Sequence, residues 1–511
     1  MRSGIMAASV SLLVIAAPAA QAKWLRADTP NFIIYSEGSE QSLRSFAENV
    51  ERLDTTLRTR FNLHKEPAEN RLTIVILPRA VDVARMRTGK SDDGAAGFYS
   101  THAEGTFAVS NREPDAGLGS LNGTTVLFHE YAHHFMLRYA PHAYPAWFIE
   151  GFAEYHSTVE FTKEGNAKIG IPAYHRAYGL LEMPKMPVAR LLQSRPGDLK
   201  NSDEVQIFYS RAWLLTHMLY SGNDRAGQLS KYVGAINAGT DPEQAASTAF
   251  GDLAQLDKDL NRYLSGRLSY ISTRHSMSVA GDIVISALSP ADDAVMPLRL
   301  ERLGAEGEPD RLVKLRAAHA KLAAKLGDDA GLWYERAALE WNLPKDQRDP
   351  AMLKSALERA LALNPDHVHA NVLTGLMLGD ELDAKGDYSA AAWRAARKPI
   401  THANRLAPND PWPLFSWYNS FRQQGIDPPD IAHQGLARAF ALAPENLDVR
   451  INYAFDLARK RQFDPAIKLA KTVAFNPHSG GEGRQLVTQL EALRDSRAAS
   501  DAESGKTADG D

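Results

Sequence analysis

Hydrophobic positions along this chain change their period several times, and each change predicts a different kind of structure. "NFIIYSEG" (31–38) is a short apolar stretch closed by turn formers, the pattern of a strand. In the "SEQSLRSFAENVERLDTTLRTRFNL" that follows, Leu43, Phe46, Ala47, Val50, Leu53, Leu57 and Phe61 share one helical face. "RLTIVILP", closed by Pro78, and "GTFAVSN" (105–111) read as two more strands, so the order strand–helix–strand–strand predicts a small mixed sheet packed on helices. From Thr124 to about Tyr270 the pattern turns helical. One helix starts at a Thr124 or Thr125 cap and runs to Tyr139, where Pro141 ends it, and a second covers about Trp147 to Val159 after Pro145. A third, within "QIFYSRAWLLTHMLYSG", is apolar on most faces and therefore buried. Residues 276–310 are mixed, with one strand-like run, "DIVISALSP", and read as a connecting segment.

Beyond residue 311 the chain becomes alanine-rich and repetitive. Helical stretches run into turns at Pro365, Pro408, Pro444 and Pro477, spaced 43, 36 and 33 residues apart. Helix–turn–helix units of about 34 residues have the tetratricopeptide period, and "KGDYSAA" and "KRQFDPA" are similar to that repeat's inter-helix turn. The expected organisation is an α+β domain over 23–275, the connecting segment, and all-α tetratricopeptide-like repeats over 311–495. A tail from 496 to 511 lacks any apolar period and is expected to be disordered. At the other end, Arg2, the apolar run Ile5 to Ala17 and the small-x-small Ala20-Gln21-Ala22 form an export signal over 1–22. That run is too short for a span, which needs about 20 apolar residues, so the expected location is exported, periplasmic in a Gram-negative bacterium, with no integral membrane segment after cleavage.

Composition narrows the function classes. With 511 residues, 44% hydrophobic and 23% charged, the chain has apolar surface for more than one core. A net charge of -4 and the lack of a long basic run argue against nucleic acid as partner. The absence of cysteine excludes disulfides, thiolate metal sites and a cysteine nucleophile.

One stretch carries chemistry. In "TVLFHEYAHHFMLRYAPHAYPAWFIEGFAEYHS", His129 and His133 stand four apart, on one helical face about 6 Å apart along the axis. Two imidazoles so placed reach one metal ion, and Glu130 lies beside them as a general base. Glu150 follows after sixteen intervening residues, on the next helix, where it can supply a third ligand. Glu154, one turn on, can accept from the free ring nitrogen of a ligating histidine.

"HEYAH" followed by "WFIEGFAEY" resembles the gluzincin metallopeptidases. With "NFIIYSEG" before it and "YSRAWLLTHML" after it, the chain over roughly 24–270 is most similar to the bacterial peptidase-MA-like group. The resemblance implies a zincin-like α+β catalytic domain, one Zn2+ per chain held by His129, His133 and Glu150, and water activated by Glu130. It also implies an edge strand that aligns the substrate backbone, for which "GTFAVSN" is the candidate by position, and an oxyanion-stabilising residue, with Tyr209 the choice and His217 a weaker one. No Gly-x-Met-Glu-Asn segment of the aminopeptidases precedes the motif, which favours an endopeptidase or a narrow-substrate enzyme.

His102, His134, His142 and His156 are expected to be structural. Two functional readings follow: an exported zinc peptidase acting on peptide or protein substrates with repeats that recruit a protein, or a peptidase-like scaffold whose repeats bind a partner. Zinc-dependent hydrolysis of a bond other than a peptide is a third class.

Overall fold

The computed structural model describes residues 24–508 apart from 64–65, 92–94, 103, 115–120, 223–224, 280 and 477–481. The export signal over 1–22, Pro477 and residues 509–511 lie outside the described residues.

The first half is built on one six-stranded sheet. Its strands are β1 (Trp24–Asp28), β2 (Phe32–Glu37), β3 (Leu72–Leu77), β4 (Phe98–His102), β5 (Gly105–Asn111) and, much later, β9 (Val284–Ala287). Their spatial order is β4-β5-β3-β2-β1-β9. Strands β2, β3 and β5 run parallel, while β4 pairs antiparallel with β5, and β1 antiparallel with β2 and β9. Parallel neighbours need crossovers, supplied by α1 (Glu40–Arg60) between β2 and β3 and α2 (Ala80–Thr88) before β4. Ser39 caps α1 through Ser42 N, as a serine ahead of an apolar-periodic run should.

On one face of the sheet Leu43, Ala47, Val50, Leu53 and Leu57 of α1 join Ile34, Ile74 and Ile76 in the main core. Helices α3 (Gly123–Tyr139), α4 (Ala146–Ser157) and α7 (Ser202–Ser221) enter the same core. Helices α5 (Ala177–Leu181), α6 (Val188–Gln193), α8 (Gln228–Asn237), α9 (Pro242–Phe250) and α10 (Leu253–Leu264) enclose it. A three-stranded sheet joins β6 (Glu160–Phe161) and β7 (Asn166–Ile169), which follow α4, to β8 (Ile271–Ser276), which follows α10. On the opposite face, Val75, Val109 and Phe107 meet Val83 and Met86 of α2 with Met296 and Leu300 of α11 (Pro290–Gly304).

That second core corrects the expected connecting segment. Residues 276–310 supply β9 to the sheet edge and α11 to its packing; the short run around Val284 carried too little pattern to reveal its partner, β1.

The second half begins with α12 (Pro309–Leu326) and continues as helical hairpins: α13 (Ala330–Asn342) with α14 (Pro350–Leu363), α15 (Val368–Lys385) with α16 (Ala390–Leu406), α17 (Pro411–Gln423) with α18 (Asp430–Leu442), and α19 (Leu447–Arg459) with α20 (Phe463–Ala474). The "KGDYSAA" and "KRQFDPA" turns lie between α15 and α16 and between α19 and α20. Gly386 ends α15 in the left-handed conformation, φ 65°, that a tight helix–helix turn requires. A small mixed sheet is thus followed by a tetratricopeptide-like helical array. The last helix, α21 (Glu482–Ala508), corrects the expected tail, since its backbone stays helical through 496–508. The segment extends a helix already running from Glu482, and adding residues to a formed helix needs no apolar face. No helix among the described residues is long and apolar enough to cross a membrane.

Candidate metal centre

Helix α3 begins at Asn122, whose side chain accepts from Thr125 N, so the cap is Asn122 rather than Thr124 or Thr125. Opposite the histidines, Tyr131 turns into the core and its hydroxyl bonds Asp54 of α1, which also holds Arg58 at 2.8 Å. This fixes the rotation of α3, and with it the direction of His129 and His133.

Helix α4 is set by a close approach. A Cβ on Gly151 would stand 2.5 Å from the carbonyl oxygen of Ala212 and 2.2 Å from Thr216 Oγ1 on α7. Only glycine allows the two backbones so near, and this places the adjoining Glu150 against α3. Sequence reasoning singled out the glutamate and passed over the glycine, whose role depends on α7, some 60 residues away in the chain.

The result is a convergence of three donors. His129 Nε2 and His133 Nε2 are 3.1 Å apart, and Glu150 Oε2 lies 3.5 Å from the first and 3.4 Å from the second. A tetrahedral ion with bonds of 2.0–2.1 Å separates its ligands by about 3.4 Å, so this donor set fits zinc without rearrangement. Glu150 is fully buried. A buried carboxylate requires compensating charge, and among the described residues these three form the one group that could hold an ion.

Glu154 sits behind the triad and is 1% exposed. Its Oε1 is 3.2 Å from His129 Nδ1, the contact that leaves Nε2 free to face the donors. The same carboxylate meets His175 Nε2 at 3.0 Å and receives the Arg176 fork at 2.9 and 2.6 Å. Burial alone would raise the Glu154 pKa, but Arg176 and the two histidines hold it well below the usual carboxylate range. Burial likewise works against a charged His129, yet its contacts with Glu150 and Glu154 lift it to about 10 in the metal-free protein. His175 and Arg176 were missed by sequence reasoning; "AYHRAY" lies in a short irregular segment with no period or motif.

Glu130 is half-buried and lines a cavity of about 830 Å³ with His129, His133 and Tyr209. The Tyr209 ring lies 6.2 Å from that of His129, with the Arg176 guanidinium 5.0 Å from its centroid. Burial and the Glu150 charge keep its hydroxyl protonated, with a pKa well above 10. His217 is engaged elsewhere: its nitrogens bond Tyr263 Oη at 2.7 Å and the Gly170 carbonyl at 2.9 Å. His134 bonds Tyr99 Oη, His156 bonds the Phe152 carbonyl, and His102 stacks on Phe107; none of them belongs to the donor triad, while His142 is an exposed residue on the cavity rim.

The edge strand differs from the expectation. "GTFAVSN" is β5, paired on both sides, and the edge is β4, whose residues Phe98–His102 line the cavity. The weakly apolar "FYSTH" carries no strand alternation, which is why it escaped notice.

The repeats close the far side of this cavity through Leu447, Arg450 and Thr472. Arg450 donates to the Leu137 carbonyl at 2.8 Å, Arg138 bonds Glu445 at 2.9 Å, and Asn446 bonds the His102 carbonyl at 2.9 Å. The end of α3 and the tip of β4 are thereby gripped by the loop before α19.

No family model and no curated protein matches the chain. Among solved structures it is similar to the yeast protein Tom70, at 13% identity over 75% of this chain and 72% of that one, with a TM-score of 0.31. A likeness that low carries no argument here, and the functional reading rests on the site itself.

Proposed function

We propose that this chain is an exported zinc-dependent peptidase of the gluzincin type, with a zincin-like catalytic domain and a repeat domain that recruits protein. The reading is carried by one observation: the three donor atoms of His129, His133 and Glu150 stand 3.1–3.5 Å apart, the spacing of a tetrahedral zinc site. When bound, zinc supplies Lewis acidity and a water whose pKa falls to about 7.

The chain's own groups do the rest. Glu130, beside the first histidine, takes the proton of the attacking water and passes it to the leaving amine. Tyr209, kept protonated, donates to the oxyanion as it forms, a contribution of about 3 kcal/mol for one such donor. The free edge of β4 aligns an extended substrate by backbone hydrogen bonds. Glu154 holds His129 in the tautomer that presents Nε2, and Arg176 holds Glu154 in turn.

A second reading, a catalytically silent scaffold whose repeats bind a partner, is favoured by the helical array itself. One variant separates the two. Glu130→Gln leaves the three ligand side chains in place, so the peptidase reading expects zinc retained and hydrolysis lost. Retention of both zinc and all biological activity would make the protein a binding module.

A further inference from the structure

The repeats contain a second cavity, of about 860 Å³, that shares no lining residue with the first. Along one face of α16, Arg394, Lys398 and Arg405 rim it, all exposed and none with a carboxylate partner among the described residues. His402, on the same face, is paired with Asp366 at 2.9 Å. Among the described residues no acidic side chain lines the cavity. Its apolar side is formed by the half-buried Trp417 and Phe421 and the exposed Ile426.

Arg397, beneath the rim, is an independent observation. It is 8% exposed, and its guanidinium bonds Ser420 Oγ at 2.7 Å, the Ser420 carbonyl at 3.0 Å and Gln424 Oε1 at 2.5 Å, 3.7 Å from the Phe421 centroid. Every acceptor is neutral. Arg58, Arg211, Arg302 and Arg336 are buried with carboxylate partners, Asp54, Asp257, Glu104 with Glu335, and Glu340, whereas Arg450, at the first cavity, is held like Arg397 by neutral acceptors. A cation buried without a counter-charge is costly unless something anionic completes it.

We propose that this groove binds an acidic peptide segment of a partner protein, with carboxylates against Arg394, Lys398, Arg405 and Arg397 and an apolar side chain against Trp417, Phe421 and Ile426. The stripe from Arg394 to Arg405 extends about 16 Å along the helix, the reach of about five extended residues. Its apolar side suits a peptide better than nucleic acid, which would need a wider basic surface than a chain of net charge -4 offers. The inference rests on the recruitment half of the function above and is independent of the hydrolytic half.

The test is fluorescence anisotropy on the full chain with a short labelled peptide alternating Glu with Leu and Phe. It runs beside the same peptide with Gln for Glu, an oligothymidylate of equal length and phosphatidylglycerol vesicles. The expected result is saturable binding of the acidic peptide alone, weakened about tenfold or more in the surface double variant Arg394→Glu/Lys398→Glu. Equal binding of the Gln peptide, unchanged binding by the double variant, or preference for the oligonucleotide or vesicles overturns it. A Glu130→Gln chain must bind the peptide like wild type, so an inactive metal site leaves this result untouched and a failed groove leaves the hydrolytic reading standing.

Discussion

Replacing Glu154 with Gln removes the charge from the most heavily engaged carboxylate in the cleft. Four contacts converge on it: His129 Nδ1 at 3.2 Å, His175 Nε2 at 3.0 Å and the two arms of Arg176 at 2.9 and 2.6 Å. Breaking a buried ion pair by removing one partner costs about 3–5 kcal/mol. The Arg176 side chain is 20% exposed and regains some hydration, which puts the loss at the lower end, about 3 kcal/mol. At about 2–4 °C per kcal/mol for a unit of this size, the melting temperature falls by about 6–12 °C. The metal loses the group that fixes His129, and such losses weaken affinity about 10–100-fold. Chelator-competition titration of zinc and thermal melting of the metal-free protein read the two effects separately. A melting temperature that falls while zinc affinity stays within about twofold of wild type would show that Glu154 braces Arg176 and does not orient His129, and that part of the account would be wrong.

Tyr209→Phe is expected to lower kcat by about 10²–10³-fold with little change in KM or zinc content, as measured on any peptide the wild type cleaves; an equal change in zinc content would point to a structural role. Gly151→Ala forces α4 away from α7 at the Ala212 carbonyl. It should cost about 1–3 kcal/mol in urea unfolding and weaken zinc binding together with it; wild-type stability would refute the close-approach argument. The folded pKa of His129, about 10, lies above its unfolded value. Its stabilising contribution is therefore complete below the unfolded pKa of about 6.5 and is lost as pH rises through about 10. Because the metal needs a neutral imidazole, zinc affinity of the metal-free protein should climb with pH, by up to about tenfold per unit above neutrality; a flat profile would contradict it.

What was legible in the sequence is what depends on local spacing. The i, i+4 histidines, the glutamates one turn apart on the next helix and six of the seven apolar positions assigned to α1 follow from helical geometry and occupy the helices expected of them; the seventh, Phe61, lies just past the end of α1 and is exposed. The strands β2, β3 and β5 were found because each is a compact apolar run. Illegible were the features that only the fold creates. The partner of β9 is β1, at the opposite end of the α+β region. The edge role of β4 depends on where the sheet stops. Gly151 has meaning only because α7 lies against it, and His175 and Arg176 come from a segment whose shape no period encodes. Most distant is the contact of the loop at Glu445 and Asn446 with α3 and β4, which makes the repeats a wall of the cleft.

The central claim is that His129, His133 and Glu150 hold one zinc ion. Metal analysis of the purified chain from Lys23 onward, wild type beside His133→Ala, tests it most directly. The account predicts about one zinc per wild-type chain, lost in the variant while the fold persists by circular dichroism. Wild-type protein that takes up no zinc even after reconstitution, or a variant that holds zinc as tightly, would contradict it.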